Sequence, residues 1–227
     1  MSPRVPVVLR SSDLSPEEDL ANRRFLDLQL LRVELVLEVM IRRLDSEDEG
    51  YDAEAELRGR IERVEQDILV MVGERESGEI QLPMLDLLEL YELSEAEREI
   101  FVFCLAPHLD ARLRRSFARY NDNVLLDYPD IQFCTVLVTR GRPEAMATRR
   151  LLDEDSTLLR DKLLELRPTK DFGADTVLRW EVRPPERLVD FVLGRTSLER
   201  SLQAYCELET PEVGLDQLVL PEETMSA

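Results

Sequence analysis

Apolar residues along the first third of the chain fall into two helical stripes. Leu26, Leu30, Val33, Leu37, Met40 and Leu44 are spaced alternately four and three apart, the seam of a coiled coil, and Leu28, Leu31 and Leu35 form a second stripe beside it. Ser15-Pro16-Glu17-Glu18 supplies a strong start. It offers a hydroxyl to cap exposed amides, a proline where its missing N–H costs little, and a glutamate three residues beyond the cap. A helix is therefore expected from Ser15 to about Leu44. So broad an apolar surface must be covered on more than one side, by the rest of this chain or by a second copy, and packing within the chain is the simpler expectation. The acidic run from Asp45 to Glu56, with Gly50, reads as a solvated connector, the alternative being a dock for a basic partner. Leu57, Ile61, Val64, Ile68 and Met71 then repeat the four-three spacing, which predicts a second helix over 53–72. Residues 15–73 thus read as an antiparallel helical hairpin, with an exit loop at Gly73–Gly78.

From residue 80 to 205 the pattern changes to shorter pieces. Ser94 and Glu97 form another capping box, opening a helix that buries Ile100, Phe101, Phe103, Cys104 and Leu105 and is expected to stop before Pro107. A second short helix should carry Leu109, Leu113, Phe117 and Tyr120, followed by a turn at Asn121-Asp122-Asn123. The run Ile131–Val138 after Pro129 is β-branched enough to be read as a strand. Gly141-Arg142-Pro143 precedes another helix through Leu152. Leu163–Arg167 and Val177–Val182 are short segments of strand formers around the turn-rich Pro168–Ala174, and together they predict a β-hairpin. Pro184-Pro185-Glu186 opens a last helix through Gly194. Residues 1–14 read as a mobile tail and 206–227, with six acids and no base from Glu207 onward, as an acidic linker. The fold class is mainly α: a helical hairpin, then small helices and one hairpin wing.

Four stretches carry a family resemblance. They are the L-S-x-x-E-R opening within Leu90–Arg98, the aliphatic run ending L-A-P-x-L-D-x-R at Leu105–Arg112, the tyrosine step Tyr120–Asn123, and the leucine-rich Thr157–Leu166. In this succession the chain resembles the variant winged-helix domain that precedes the ATPase module in a bacterial group of AAA+ proteins, some of which accompany contractile injection systems. The resemblance covers about residues 16–222, including the terminal LDQLVLPEE at Leu215–Glu223. It departs where Asn121–Leu126 replaces the usual acidic, threonine- and arginine-containing step. It implies that Ile131–Val138 is helical. It also implies an N-terminal interaction or regulatory domain of an AAA+ ATPase, with protein partners, self-association or an AAA+ assembly.

Chemistry narrows the reading. Forty-eight acids against 29 bases give a formal charge of −19, which opposes adhesion to polyanions and makes unaided nucleic-acid binding unfavourable. Cys104, Cys134 and Cys206 are odd in number and widely spaced, as expected of reduced core residues. No apolar run approaches the roughly 20 residues of a membrane span, and Met1–Arg10 has no signal core, so a cytoplasmic protein without membrane association is expected. No G-x-x-x-x-G-K-[ST] loop occurs, so ATP hydrolysis is not expected of this chain alone. The single histidine, His108, has no metal-ligand companion and reads as a loop residue. No catalytic, cofactor or metal site is therefore predicted, and the chain is not expected to be an enzyme. The candidate interaction residues are Arg112, Arg114, Arg115 and Arg119 on one predicted helix and Arg140, Arg142, Arg149 and Arg150 flanking another. A winged helix could present them to DNA; otherwise they pair with the surplus acids as a solvated face.

Overall fold

The computed structural model describes residues 14–45, 51–139, 150–169 and 176–195. Helix α1 runs Pro16–Asp45 and α2 runs Tyr51–Glu76. Four helices follow: α3 Pro83–Leu90, α4 Glu95–Leu109, α5 Ala111–Tyr120 and α6 Ile131–Thr139. A 3-10 turn at Arg150–Leu152 leads to α7 Thr157–Arg160, strand β1 Glu165–Arg167, a second 3-10 turn Val177–Arg179, strand β2 Glu181–Arg183 and α8 Glu186–Val192. Residues 1–13 of the expected tail, the acidic linker, Gly50 and most of the helix after Gly141 lie outside the described residues, whereas Leu14, expected in the tail, is tied to Gly194.

The capping boxes form as expected. The Ser15 hydroxyl accepts the Glu18 N–H at 3.3 Å while the Glu18 carboxylate accepts the Ser15 N–H at 3.0 Å, and Ser94 and Glu97 make the same reciprocal pair at the start of α4. Helix α1 is then covered on two sides by its own chain. Phe25, Leu26, Val33 and Leu37 enter the main core with α4, α5 and α6, whereas Leu35 and Val39 pack with Leu57 and Val64 of α2. The two stripes belong to two cores. Leu44, the last residue of the predicted seam, stands 64 % exposed. An ion pair fixes the register of α1 on α4: Arg32 forks onto Glu99 at 3.0 and 2.5 Å, with its guanidinium carbon 5.9 Å from the Phe103 ring centre. At the other end of the hairpin Arg75 forks onto Asp86 and Glu89 of α3, tying the α2 terminus to the next helix.

The main core centres on Phe133 of α6. Phe117 and Tyr120 of α5 meet its ring edge-on at 5.0 and 5.2 Å, and Phe103 of α4 lies at 5.8 Å. The run that composition left ambiguous is therefore a helix. Its first turn is capped by Asp130, whose carboxylate accepts the Phe133 N–H at 2.7 Å.

Several boundaries differ from expectation: α2 begins at Tyr51 within the acidic run and continues through Gly73 to Glu76 where an exit loop is expected, and Leu109, expected in the next helix, ends α4. Pro107 does not stop α4, which continues to Leu109; the proline forfeits only one N–H, and the Asp110 N–H closes the final turn on the Ala106 carbonyl at 2.9 Å. Val177–Arg179 is not strand but a tight turn, and β2 is displaced to Glu181–Arg183. Val177 and Leu178 are exposed and find no cross-strand partner, while Arg179 must reach the buried Asp130 carboxylate at 3.0 Å. The hairpin is antiparallel, with Glu165, Leu166 and Arg167 opposite Arg183, Val182 and Glu181. The free edge of β2 is covered, since Val182 donates to Pro129 at 2.8 Å and Ile131 to Trp180 at 3.2 Å.

The last helix returns to the first. Asn22, buried on α1, donates its amide to the Val192 carbonyl at 2.9 Å, and α8 ends where Gly194 takes φ +74. A Cβ on Gly194 would sit 2.3 Å from the Leu14 Cδ1. Gly194→Ala is expected to cost on the order of 1–2 kcal/mol, combining left-handed strain with displacement of Leu14. Urea unfolding of the single variant and of the Leu14→Ala, Gly194→Ala double variant checks it; the double variant should lose less than the sum of the two single changes.

Candidate interaction surface

Helix α5 is built from a one-residue junction. Asp110 ends α4 and caps α5 at once, its carboxylate accepting the Arg112 N–H at 2.8 Å. The same carboxylate accepts from the Arg112 guanidinium at 2.9 and 2.7 Å, which holds the Asp110 carboxyl below the usual carboxylate range. The L-D-x-R motif is thus a helix boundary that neutralises its own arginine. Likewise L-S-x-x-E-R is the α4 capping box, with the Arg98 guanidinium donating to the Leu93 carbonyl at 2.8 Å.

Helix α5 buries Leu113 and Phe117 and turns its arginines outward. Arg112 is 84 % exposed on Asp110; Arg114 forks onto Asp127; Arg119 faces Glu38 of α1 at 3.7 Å. Arg115 is exposed and has no carboxylate partner among the described residues. Of the second predicted group, Arg150 stands exposed on the first 3-10 turn and is not among the residues lining the surface described next, while Arg140, Arg142 and Arg149 lie outside the described residues.

The turn after α5 completes a shallow groove of about 580 Å³, lined by Arg114, Arg115 and Arg119 on one side and by Asp122, Asn123, Val124 and Asp127 on the other. Asp122 takes φ +48, and the Asn123 side chain accepts the Leu125 N–H at 2.9 Å. Leu126 is buried, and its carbonyl accepts the Asn121 amide at 2.9 Å. This geometry leaves Val124 83 % and Leu125 52 % exposed beside the arginines.

Sequence reasoning missed the group behind the groove. Tyr128 stands between arginines, with the Arg183 guanidinium 3.5 Å and that of Arg114 5.0 Å from its ring centre, and the His108 ring packs against it at 5.2 Å. His108 is no loop residue: it lies in the last turn of α4, with Nε2 buried and without a hydrogen-bond partner among the described residues. Nothing in the spacing of His108, Tyr128 and Arg183 marks them as neighbours, because the contact depends on how the hairpin folds back. The two described cysteines, separated by 30 positions, also meet, with Cys104 and Cys134 sulfurs 3.9 Å apart in the core and burial pushing the Cys104 thiol well up. Among the described residues no cluster of His, Cys, Asp and Glu is arranged to hold a metal ion.

Burial, followed by the positive charges of Arg183, Arg167 and Arg114, lowers the His108 pKa to about 4 from its ordinary 6.5. The unfolded chain therefore binds the extra proton between these values, and stability should fall as pH drops from about 6.5 toward 4. Burial raises the Asp130 carboxyl, which acts in the opposite direction as pH falls. Allowing for screening at the exposed ring edge, His108→Gln should shrink the fall in Tm between pH 7 and pH 5 by about 2–4 °C, measured by thermal circular dichroism.

No helix among the described residues is long and apolar enough to cross a membrane. Comparison with known proteins gives a match to a family model described as a winged helix domain, variant, over residues 10–206. No curated protein and no solved structure gives a significant match. The match spans most of the 227 residues and agrees with a helical array closed by a two-stranded wing, and the chain belongs to the variant winged helix domain family.

Proposed function

We propose that this chain is a non-catalytic protein-interaction and regulatory module of, or derived from, a cytoplasmic AAA+ ATPase. In this reading it recognises protein partners or supports assembly of a larger particle such as a contractile injection system. Winged helix domains bind either DNA or proteins, so the choice rests on the surface. The observation that carries it is the charge pairing on α5: Arg112, Arg114 and Arg119 each face a carboxylate of the same chain, on a protein of net charge −19. A phosphate backbone would have to displace those carboxylates, and the repulsion of the whole molecule would add to that cost. The AAA+ link rests on the resemblance carried by the L-S-x-x-E-R and L-D-x-R motifs, and in this reading hydrolysis would belong to a separate module. Self-association through the hairpin seam is disfavoured because both stripes of α1 pack within the chain apart from Leu44, leaving Leu69 and Val70 exposed on α2.

The competing reading is a DNA-binding winged helix using Arg112–Arg119 and Arg140–Arg150, favoured by the exposure of Arg112 and Arg115. Affinity-tagged chain recovered natively from its source cells should carry an AAA+ ATPase subunit or prove to be continuous with an ATPase module. Micromolar binding to duplex DNA at low salt, weakened by Arg114→Ala and Arg115→Ala, would establish the DNA reading instead.

A further inference from the structure

The groove beside α5 combines two features that seldom share one small patch. Arg115 is an exposed cation with no carboxylate partner among the described residues, and Arg114 and Arg119 flank it along the helix. Val124 lines the opposite wall, with Leu125 next to it, both aliphatic and both exposed. The exposure is held in place. The side chain of Asn123 fixes the Leu125 amide, Leu126 anchors the turn in the core, and the Asn121 amide ties the anchor back. These hydrogen bonds set the backbone of the turn so that Val124 and Leu125 stand side by side at the surface.

From this geometry we infer that the α5 groove is a docking site for a peptide segment of a partner protein in which carboxylates alternate with aliphatic side chains. This deepens the protein-interaction reading and rests on it. The charge argument selects a ligand that brings a carboxylate to Arg115, which has no counter-charge among the described residues, whereas Arg114 and Arg119 beside it already face Asp127 and Glu38. The apolar argument selects a peptide over nucleic acid. Covering Val124 and Leu125 requires aliphatic surface, which a sugar-phosphate backbone does not offer. Buried apolar contacts beside a paired arginine are the usual anatomy of an interface hot spot, and the rest of the groove would exclude water around them.

The test uses the whole chain and a fluorescein-labelled synthetic peptide of alternating Glu and Leu, read by fluorescence anisotropy. Controls replace every Leu with Ser or every Glu with Lys. The expected result is saturable binding of the Glu/Leu peptide, weakened about fivefold or more by Arg115→Glu, by Val124→Ser and by either change of peptide, with duplex DNA failing to compete. Both substitutions are on exposed side chains, and unchanged circular dichroism and Tm would show that the fold is intact. No binding, equal binding by wild type and both variants, or displacement by DNA would overturn the inference. Native recovery of tagged wild type and Arg115→Glu separates the two levels of the argument. A protein partner retained equally by both places the contact elsewhere and leaves the interaction reading standing; failure to recover any protein partner removes that reading itself.

Discussion

The structure depends on burying both sides of one helix. Helix α1 carries more apolar surface than a single neighbour can cover, and the hydrophobic cost of leaving either stripe in water is what draws α2 to one side and α4, α5 and α6 to the other. Those contacts are non-directional and would tolerate sliding. The Arg32 fork onto Glu99, together with the ring of Phe103 beneath it, sets which turn of α1 meets which turn of α4. The Asn22 contact to the end of α8 then closes the chain on its own beginning. Elements far apart in sequence are thereby held by a single spine, so the helical hairpin contributes part of the core on which the wing stands.

Electrostatics on this protein is mostly local pairing against a large negative background. Asp110 shows the economy of the arrangement. One carboxylate ends α4, caps α5 and neutralises Arg112, and Asp127 and Glu38 do similar work for Arg114 and Arg119. A helix that reads as a basic recognition element is largely compensated once the surrounding acids are placed. What remains outward is a smaller surface: Arg115 and the apolar pair on the turn after α5. Behind it, Tyr128, Arg183 and His108 form a cationic and aromatic support in which a neutral histidine is favoured by burial and by the arginines around it.

Much of this was legible in the chain because it is encoded locally. The two capping boxes, the four-three stripes of α1 and α2, and the turn at Asn121-Asp122-Asn123 are short-range patterns whose physics acts within a few residues, and each appears where the pattern puts it. Local rules failed where long-range contacts outweighed them. Pro107 loses one hydrogen bond inside a buried helix and is carried through it, and Val177–Arg179 abandons its strand-like composition so that Arg179 can reach Asp130. The helical state of Ile131–Val138 came from family resemblance, because β-branched composition alone left it open; the buried faces toward Phe103, Phe117 and Tyr120 account for it physically.

By itself, then, the sequence determined the class of fold, most helix starts, the solvated acidic character and the want of a phosphate-binding loop, since these follow from residue type and short spacing. Only the tertiary structure decided which arginines of α5 face carboxylates, that Cys104 and Cys134 touch, and that His108 lies beside Tyr128 among three arginines. Those facts depend on distances between residues many positions apart. Such distances are set by how two cores pack around α1, and no local pattern carries them.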